Sequence, residues 1–397
     1  MQLTTSQPTP DYGKIASEMR ALGHIVWIGG PNEAGDLDWH DGQGIVASLP
    51  DFSPDPATQL FARTSSKRDR LRRLRHFIRE VHPDIVQMDN HSFYRLLPLN
   101  MPRDIQFILD MRQINEQYGT NLCTRFKAVL NNKSRNVFSR YVFDRTTFLH
   151  EAGAQKVLGK DWKQWACVVP MGVDPQFLDA EQKRNDGVTG NGNVEFIYIG
   201  RLSQRRQLEC IMKAAAQVRQ KTSNFKVVFM GYDVSEGFYT DYINRLNLGD
   251  IVTIRPPIPY EEVPEAVLNC DVALAYVPEL PVDWKYHPTL KILEYRALGM
   301  PVIATDFFPN QELIDDGVNG LLVQNNAGHI AQAMLRFIEE PDFLARVRHE
   351  AKARREGLTW DHVTAQYLDL YTDLLTNSES LSIDINSKFN EIDSPSQ

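Results

Sequence analysis

The run Val194–Ile199 ends at Gly200, and the residues that follow are Arg201-Leu202-Ser203-Gln204-Arg205-Arg206. An apolar run of this kind reads as a buried strand. In an open α/β sheet, ligands gather beyond the carboxyl ends of the strands. Glycine at such a point lets the backbone come close to a ligand. Arg201 and Arg206 put two permanent cations there, and guanidinium forks match the oxygens of a phosphate. Read alone, the same arginines are equally well loop charges in solvent.

A second segment, Tyr286-His287-Pro288-Thr289-Leu290-Lys291-Ile292-Leu293-Glu294-Tyr295, lies further along the chain. Pro288 sits where a helix would begin, a place that favours proline. The amides of Thr289 and Leu290 are then expected to point at a strand-end cleft, and a helix start is an anion site. Lys291 adds charge. Glu294, one turn in, is placed to accept hydrogen bonds from a ribose diol, or else it is an ordinary surface carboxylate.

These residues need a scaffold of alternating strands and helices. In the second half, strands are predicted at Val194–Ile199, Phe225–Met230, Ile251–Ile254, Val272–Tyr276 and Val302–Thr305. Helices are predicted at Leu208–Gln220, Val263–Leu268 and Leu290–Leu298, the last closed by Gly299 in a left-handed cap. The first half is looser. Strands are expected at Ile25–Ile28, Asp84–Met88, Ile105–Leu109, Thr146–Leu149 and Ala166–Val169, with a helix at Lys14–Leu22. Strands separated by helices imply parallel pairing. The expected organisation is a first domain over 1–180, a polar linker over 181–193, a second domain over 194–358, a helix over 359–375 that crosses back to the first domain, and a disordered tail over 376–397.

The segments GRLSQRR and PTLKILEYRALGMPVIATD together resemble the donor-binding half of the family-four (group 1) retaining glycosyltransferases. NQELIDDGVNGLLV, VVPMGVDPQF, HPDIVQ and AGAQKVLG follow the family in the same order, most closely in the second half. The resemblance implies the GT-B architecture, two Rossmann-like doubly wound α/β domains facing across a cleft. It implies that Arg201 and Arg206 neutralise a donor diphosphate, Glu294 holds the ribose, and the amides of Thr289 and Leu290 meet the phosphates. It further implies sugar transfer with retention, without a metal and without a cofactor beyond the nucleotide-diphosphate sugar itself. Tyr286 stands where many members carry a second glutamate near the transferred sugar.

The acceptor is expected on the first domain, as a carbohydrate or a lipid-linked molecule. PTPDYGK reads as its first loop, with Gly13 where relatives often have a glycine pair, and the short run MQLTT before it leads to the expectation that the chain starts later than its relatives do. Asp110 and Arg112 follow the strand Ile105–Leu109, where relatives often have a histidine. Asp110 either takes that place or caps the loop. Arg112 either pairs with Asp110 or meets an anionic acceptor. His91, beside Asn90, stands at another strand end as a catalytic candidate or a structural histidine. Residues 67–80 form a basic amphipathic helix in which Leu71, Leu74, Phe77, Ile78 and Val81 recur at helical spacing. It is either a solvated helix packed by one stripe or a contact for anionic membrane.

Composition narrows the alternatives. A net charge of −8 argues against a general nucleic-acid binder. Four cysteines without a CxxC pair match neither a zinc site nor a disulfide framework, and free thiols fit a reducing cytoplasm. Neither an apolar run of membrane-spanning length nor a secretory leader is seen, which leaves a cytoplasmic or membrane-peripheral protein. No G-x-G-x-x-G opens either half, which disfavours a dehydrogenase. The competing functions are a nucleotide-sugar epimerase or hydrolase of the same architecture, and a non-catalytic nucleotide-binding module.

Overall fold

Along Val194–Ile199, Phe196 and Tyr198 pack into one apolar core while Ile197 enters another on the opposite face of the sheet. This period of two is the mark of a strand covered on both sides. A computed structural model describes residues 2–3, 10–31, 37–40, 45–49, 62–89, 94–112, 114, 122–180, 192–278, 289–355, 357 and 359–392. The chain divides into two units, one of Met1–Ile114, Asn121–Met171 and Trp360–Gln397, the other of Asn115–Thr120 and Gly172–Thr359.

In the first unit the strands are β1 (Gln2–Leu3), β2 (Ile28–Pro31), β3 (Leu37–His40), β4 (Ile45–Leu49), β5 (Ile85–Asp89), β6 (Gln106–Met111), β7 (Arg145–Phe148) and β8 (Ala166–Val168). They join in the order β4-β3-β2-β1-β5-β6-β7-β8. Pairing is parallel from β2 through β8, and antiparallel where β3 and β4 extend the edge. The sequence reading missed that extension and placed β2 three residues early, since Ile25 is solvent-exposed.

The second unit contains β9 (Val194–Ile199), β10 (Phe225–Met230), β11 (Val252–Arg255), β12 (Val272–Ala275), β13 (Val302–Thr305) and β14 (Gly320–Val323). All are parallel, in the order β11-β10-β9-β12-β13-β14. Counted within the unit this is 3-2-1-4-5-6, the doubly wound dinucleotide-type order. Asp271, fully buried before β12, accepts from the Glu195 amide at 2.8 Å and pairs with Arg348 at 2.7 Å. The charge thus has partners on both sides, which a buried carboxylate requires.

Three expected boundaries are corrected. Residues 172–180 belong to the second unit, because Phe177 of the helix Pro175–Asp179 is fully buried in the same core as Ile292 and Tyr295. The chain therefore changes units at Met171 and Gly172, before the run 181–193 expected as the linker, of which 181–191 lie outside the described residues. The last helix is Trp360–Ile392, not 359–375. No glycine or proline interrupts it, so polarity alone does not end it. Its first turns return to the first unit, where Trp360, Val363, Tyr367, Leu370 and Leu374 pack against Ile15, Met19, Ile85 and Ile108. Among the described residues no helix is long and apolar enough to cross a membrane.

Gly200 and Gly231 end neighbouring strands with φ of 146° and 148°. Their backbones touch: a Cβ on Gly231 would lie 2.0 Å from the Gly200 carbonyl oxygen. A Cβ on Gly200 would find nothing closer than 3.6 Å. Gly231→Ala should therefore cost ~3 kcal/mol or more, and Gly200→Ala roughly 1–2 kcal/mol from its backbone conformation alone. Urea unfolding of the two variants checks this order.

Candidate functional site

In the order 3-2-1-4-5-6, the chain turns opposite ways after β9 and β12, and the crevice of such a sheet opens there. Gly200 leaves β9 at this point. Its amide donates to the Met230 carbonyl at 2.9 Å. Two residues on, Leu202 forms a short parallel bridge with Asp233: its amide donates to Tyr232 at 2.8 Å, and its carbonyl accepts from Val234 at 2.9 Å. The loop then makes a 3₁₀ turn at Gln204–Arg206. Buried Tyr239 holds both ends of that turn, since its hydroxyl donates to the Ser203 carbonyl at 2.7 Å and accepts from the Leu208 amide at 3.2 Å. Arg201 is left exposed and Arg206 half-buried.

The opposite wall is the helix Leu290–Leu298. Thr289 is its N-cap, in extended conformation and without a side-chain capping bond. The Tyr295 hydroxyl accepts from the Ile199 amide at 3.1 Å, which ties the helix to the end of β9. Lys291 is thereby brought to Gly200, with its Nζ 3.6 Å from where a Gly200 Cβ would sit and 4.9 Å from the centre of the Tyr198 ring. Burial pushes the Lys291 ammonium down to about 7, the Arg206 charge pushes in the same direction, and Glu294 opposes both. Glu294 is buried, and its Oε1 accepts from the Tyr260 hydroxyl at 2.7 Å. Gly200, Arg206, Lys291 and Glu294 thus share one strand end. Two cations repel there, and an anion between them would relieve the repulsion.

The other predicted residues are placed differently. Gly13 is not in a loop. It lies in the helix Pro10–Ala21, exposed, with nothing within 4 Å of its Cβ position. Pro10 opens that helix at a position that favours proline, so residues 10–14 of the expected loop are helical, while 8 and 9 lie outside the described residues. Asp110 is inside β6 rather than beyond it, and is 1% exposed. Its carboxylate accepts from Tyr12 at 2.8 Å, Thr147 at 2.9 Å, Gln87 at 3.2 Å and Arg112 at 2.9 Å. Three of these bonds fall on Oδ2 and one, from Thr147, on Oδ1. Asp110 therefore does not cap a loop; it ties strands β5, β6 and β7 to the first helix. Arg112 pairs with it, stacks over the Tyr12 ring at 4.4 Å and reaches the Tyr367 hydroxyl at 3.4 Å. His91, Tyr286 and Pro288 lie outside the described residues.

The basic segment 67–80 is part of the helix Ala62–Val81, with Leu71, Leu74 and Ile78 buried. Arg75 and Arg79 turn onto backbone carbonyls, Arg75 onto Leu96 and Leu97 and Arg79 onto Asn100. Part of the positive charge thus serves the fold of the adjacent turn. Among the described residues no group of three or more His, Cys, Asp or Glu is disposed to hold a metal.

Sequence reasoning missed Tyr198, Tyr239 and Tyr260. Nothing in their spacing separates them from core aromatics, because their partners lie dozens of residues away.

With this geometry the family comparison can be read. Residues 179–354 match the family model described as glycosyl transferases group 1. The matched residues lie almost wholly within the second unit. The chain is 25% identical over 201 residues to the D-inositol 3-phosphate glycosyltransferase of Streptosporangium roseum, covering 48% of this chain and 45% of that protein. It is 25% identical over 218 residues to the enzyme of the same name from Nocardiopsis dassonvillei, covering 51% and 49%. The chain spans about half the length of the curated relatives it matches. Among solved structures it resembles sucrose-phosphate synthase from Thermosynechococcus elongatus, with a TM-score of 0.68 at 15% identity, covering 95% of this chain and 99% of that one. It also resembles Anabaena HepE in complex with UDP and glucose, with a TM-score of 0.65 at 14% identity, covering 94% and 100%. These likenesses establish the GT-B fold.

Within the second unit, Lys291 gives a pH signature. Its folded-state value lies below the unfolded one, so the unfolded chain holds more protons between the two, and stability rises with pH from about 7 upward. Lys291→Met removes this dependence. The thermal stability advantage of Lys291→Met over the wild type should shrink as pH is raised from 6.5 to 9, which paired melting curves measure.

Proposed function

We propose that the protein transfers a sugar from a nucleotide-diphosphate donor to an acceptor hydroxyl, with retention and without a metal. The observation that carries this reading is the meeting of Arg206, Lys291, Gly200 and Glu294 at the switch point of the second sheet. A diphosphate placed beside the Arg206 loop and the start of the helix Leu290–Leu298 gains forked donors, an ammonium and the positive end of the helix dipole. The same groups stabilise the charge that builds on the leaving diphosphate as the glycosidic bond breaks. Arg201, exposed next to Gly200, adds a second guanidinium. Glu294, in the wall of the same site, accepts from the ribose hydroxyls. Solved structures of the same fold support this reading, among them Anabaena HepE in complex with UDP-glucose and an Arabidopsis starch synthase bound to ADP and acarbose. The acceptor is proposed to be a carbohydrate or lipid-linked hydroxyl, as in polysaccharide or glycolipid assembly.

A calorimetric panel of UDP, ADP and GDP with their glucose conjugates identifies the base. Arg201→Ala and Glu294→Ala are expected to abolish donor turnover while circular dichroism stays native. Arg206→Ala should weaken diphosphate binding by about 10- to 100-fold, the worth of a lost charge-assisted hydrogen bond. Full activity in Glu294→Ala contradicts the assignment. Binding without turnover on any acceptor assigns a nucleotide-binding module instead.

A further inference from the structure

Glu294 does not stand alone in the site. The Tyr260 hydroxyl donates to its Oε1 at 2.7 Å. Tyr260 begins a 3₁₀ turn, Tyr260–Glu262, before the helix Val263–Leu268, and is 38% exposed, so its ring is not a core element. It also meets three residues of the segment that opens the second unit. The Phe177 ring lies 5.5 Å from its own. The Gln176 side chain donates to its carbonyl at 3.3 Å. Asp174 is the second carboxylate that reaches its hydroxyl. Asp174 occupies the N-cap of the helix Pro175–Asp179 yet makes no capping bond there. One tyrosine is thus gripped at ring, carbonyl and hydroxyl by Gly172–Asp179, and passes that grip to Glu294.

We propose that Tyr260 is a positioning residue that sets the Glu294 carboxylate for the ribose diol, and so makes the site prefer ribonucleotides. This rests on the donor-site reading above. A glutamate carries three rotors, and an unheld carboxylate samples orientations that cannot meet two hydroxyls at once. A phenolic O–H on Oε1 removes much of that freedom. The hydroxyl has one proton and two carboxylates to choose from. Its bond to Glu294 therefore competes with Asp174, which lies at the far end of the same contact chain.

The test measures the affinities of the full chain for UDP, ADP and GDP and for their 2′-deoxy counterparts. The wild type should favour the ribonucleotide by about tenfold, the scale of one hydrogen bond to a charged group. In Tyr260→Phe the preference should fall to within ~3-fold of unity through loss of ribonucleotide affinity, with the 2′-deoxy nucleotide binding almost as before, and Glu294→Gln should behave alike. Asp174→Asn removes the competing charge and should keep the preference or raise it. A merely structural role for Tyr260 weakens both nucleotides equally. That result, or an unchanged ratio in Tyr260→Phe, overturns the proposal and leaves the donor site standing. A wild type that binds none of the nucleotides overturns both.

Discussion

Two cations, Arg206 and Lys291, are held near one another at the end of a buried parallel strand, and the backbone gives them little freedom to separate. Like charges in a partly dry setting move apart or lose a proton unless something prevents it. Here Tyr239 holds the turn that carries Arg206, and Tyr295 holds the helix that carries Lys291. Burial first, and the Arg206 charge second, lower the Lys291 ammonium to about 7. The proposed diphosphate site draws on this positive potential, with the buried Glu294 carboxylate beside it.

The clamps share a pattern. Each is a tyrosine hydroxyl bonded to a backbone group or a carboxylate far away in sequence: Tyr239 with Ser203 and Leu208, Tyr295 with Ile199, Tyr260 with Glu294. Tyrosine suits the task because its body packs in an apolar wall while its polar end reaches a loop. The glycine contact between β9 and β10 works beneath them, bringing the two post-strand loops close enough to pair at Leu202 and Asp233. The first unit uses the same chemistry for another end. There Tyr12, Tyr367, Arg112, Gln87 and Thr147 surround or brace Asp110, and the result is a satisfied buried network rather than a reactive carboxylate.

Much of the second unit was legible because its strands are short apolar runs ended by glycine or a polar turn. Phe225–Met230, Val263–Leu268, Leu290–Leu298 and Val302–Thr305 carry the predicted bounds. The first unit was harder. Its strand β3 includes Asp38 and His40, so no apolar run announces it, while the short run Ile45–Ala47 of β4 was overlooked. Gly13 looked like a loop glycine because a proline and an aspartate precede it, and those same residues also start helices. Asp110 looked catalytic from its place just past the expected strand end, but β6 runs on to Met111 and puts it inside the sheet.

Local chemistry determined which residues offer charge and where the backbone turns: guanidinium groups after Gly200, an ammonium and a carboxylate one turn apart on a helix, glycines where φ must be positive. These properties belong to neighbours along the chain and are readable from their order. Which groups meet was decided only by the folded chain, since hydrogen bonds between residues 31 to 96 positions apart leave no periodic trace. The same holds for burial. Aspartate and lysine look alike in any sequence, and only the packing around Asp110 and Lys291 makes one a filled structural acceptor and the other a cation poised near neutrality.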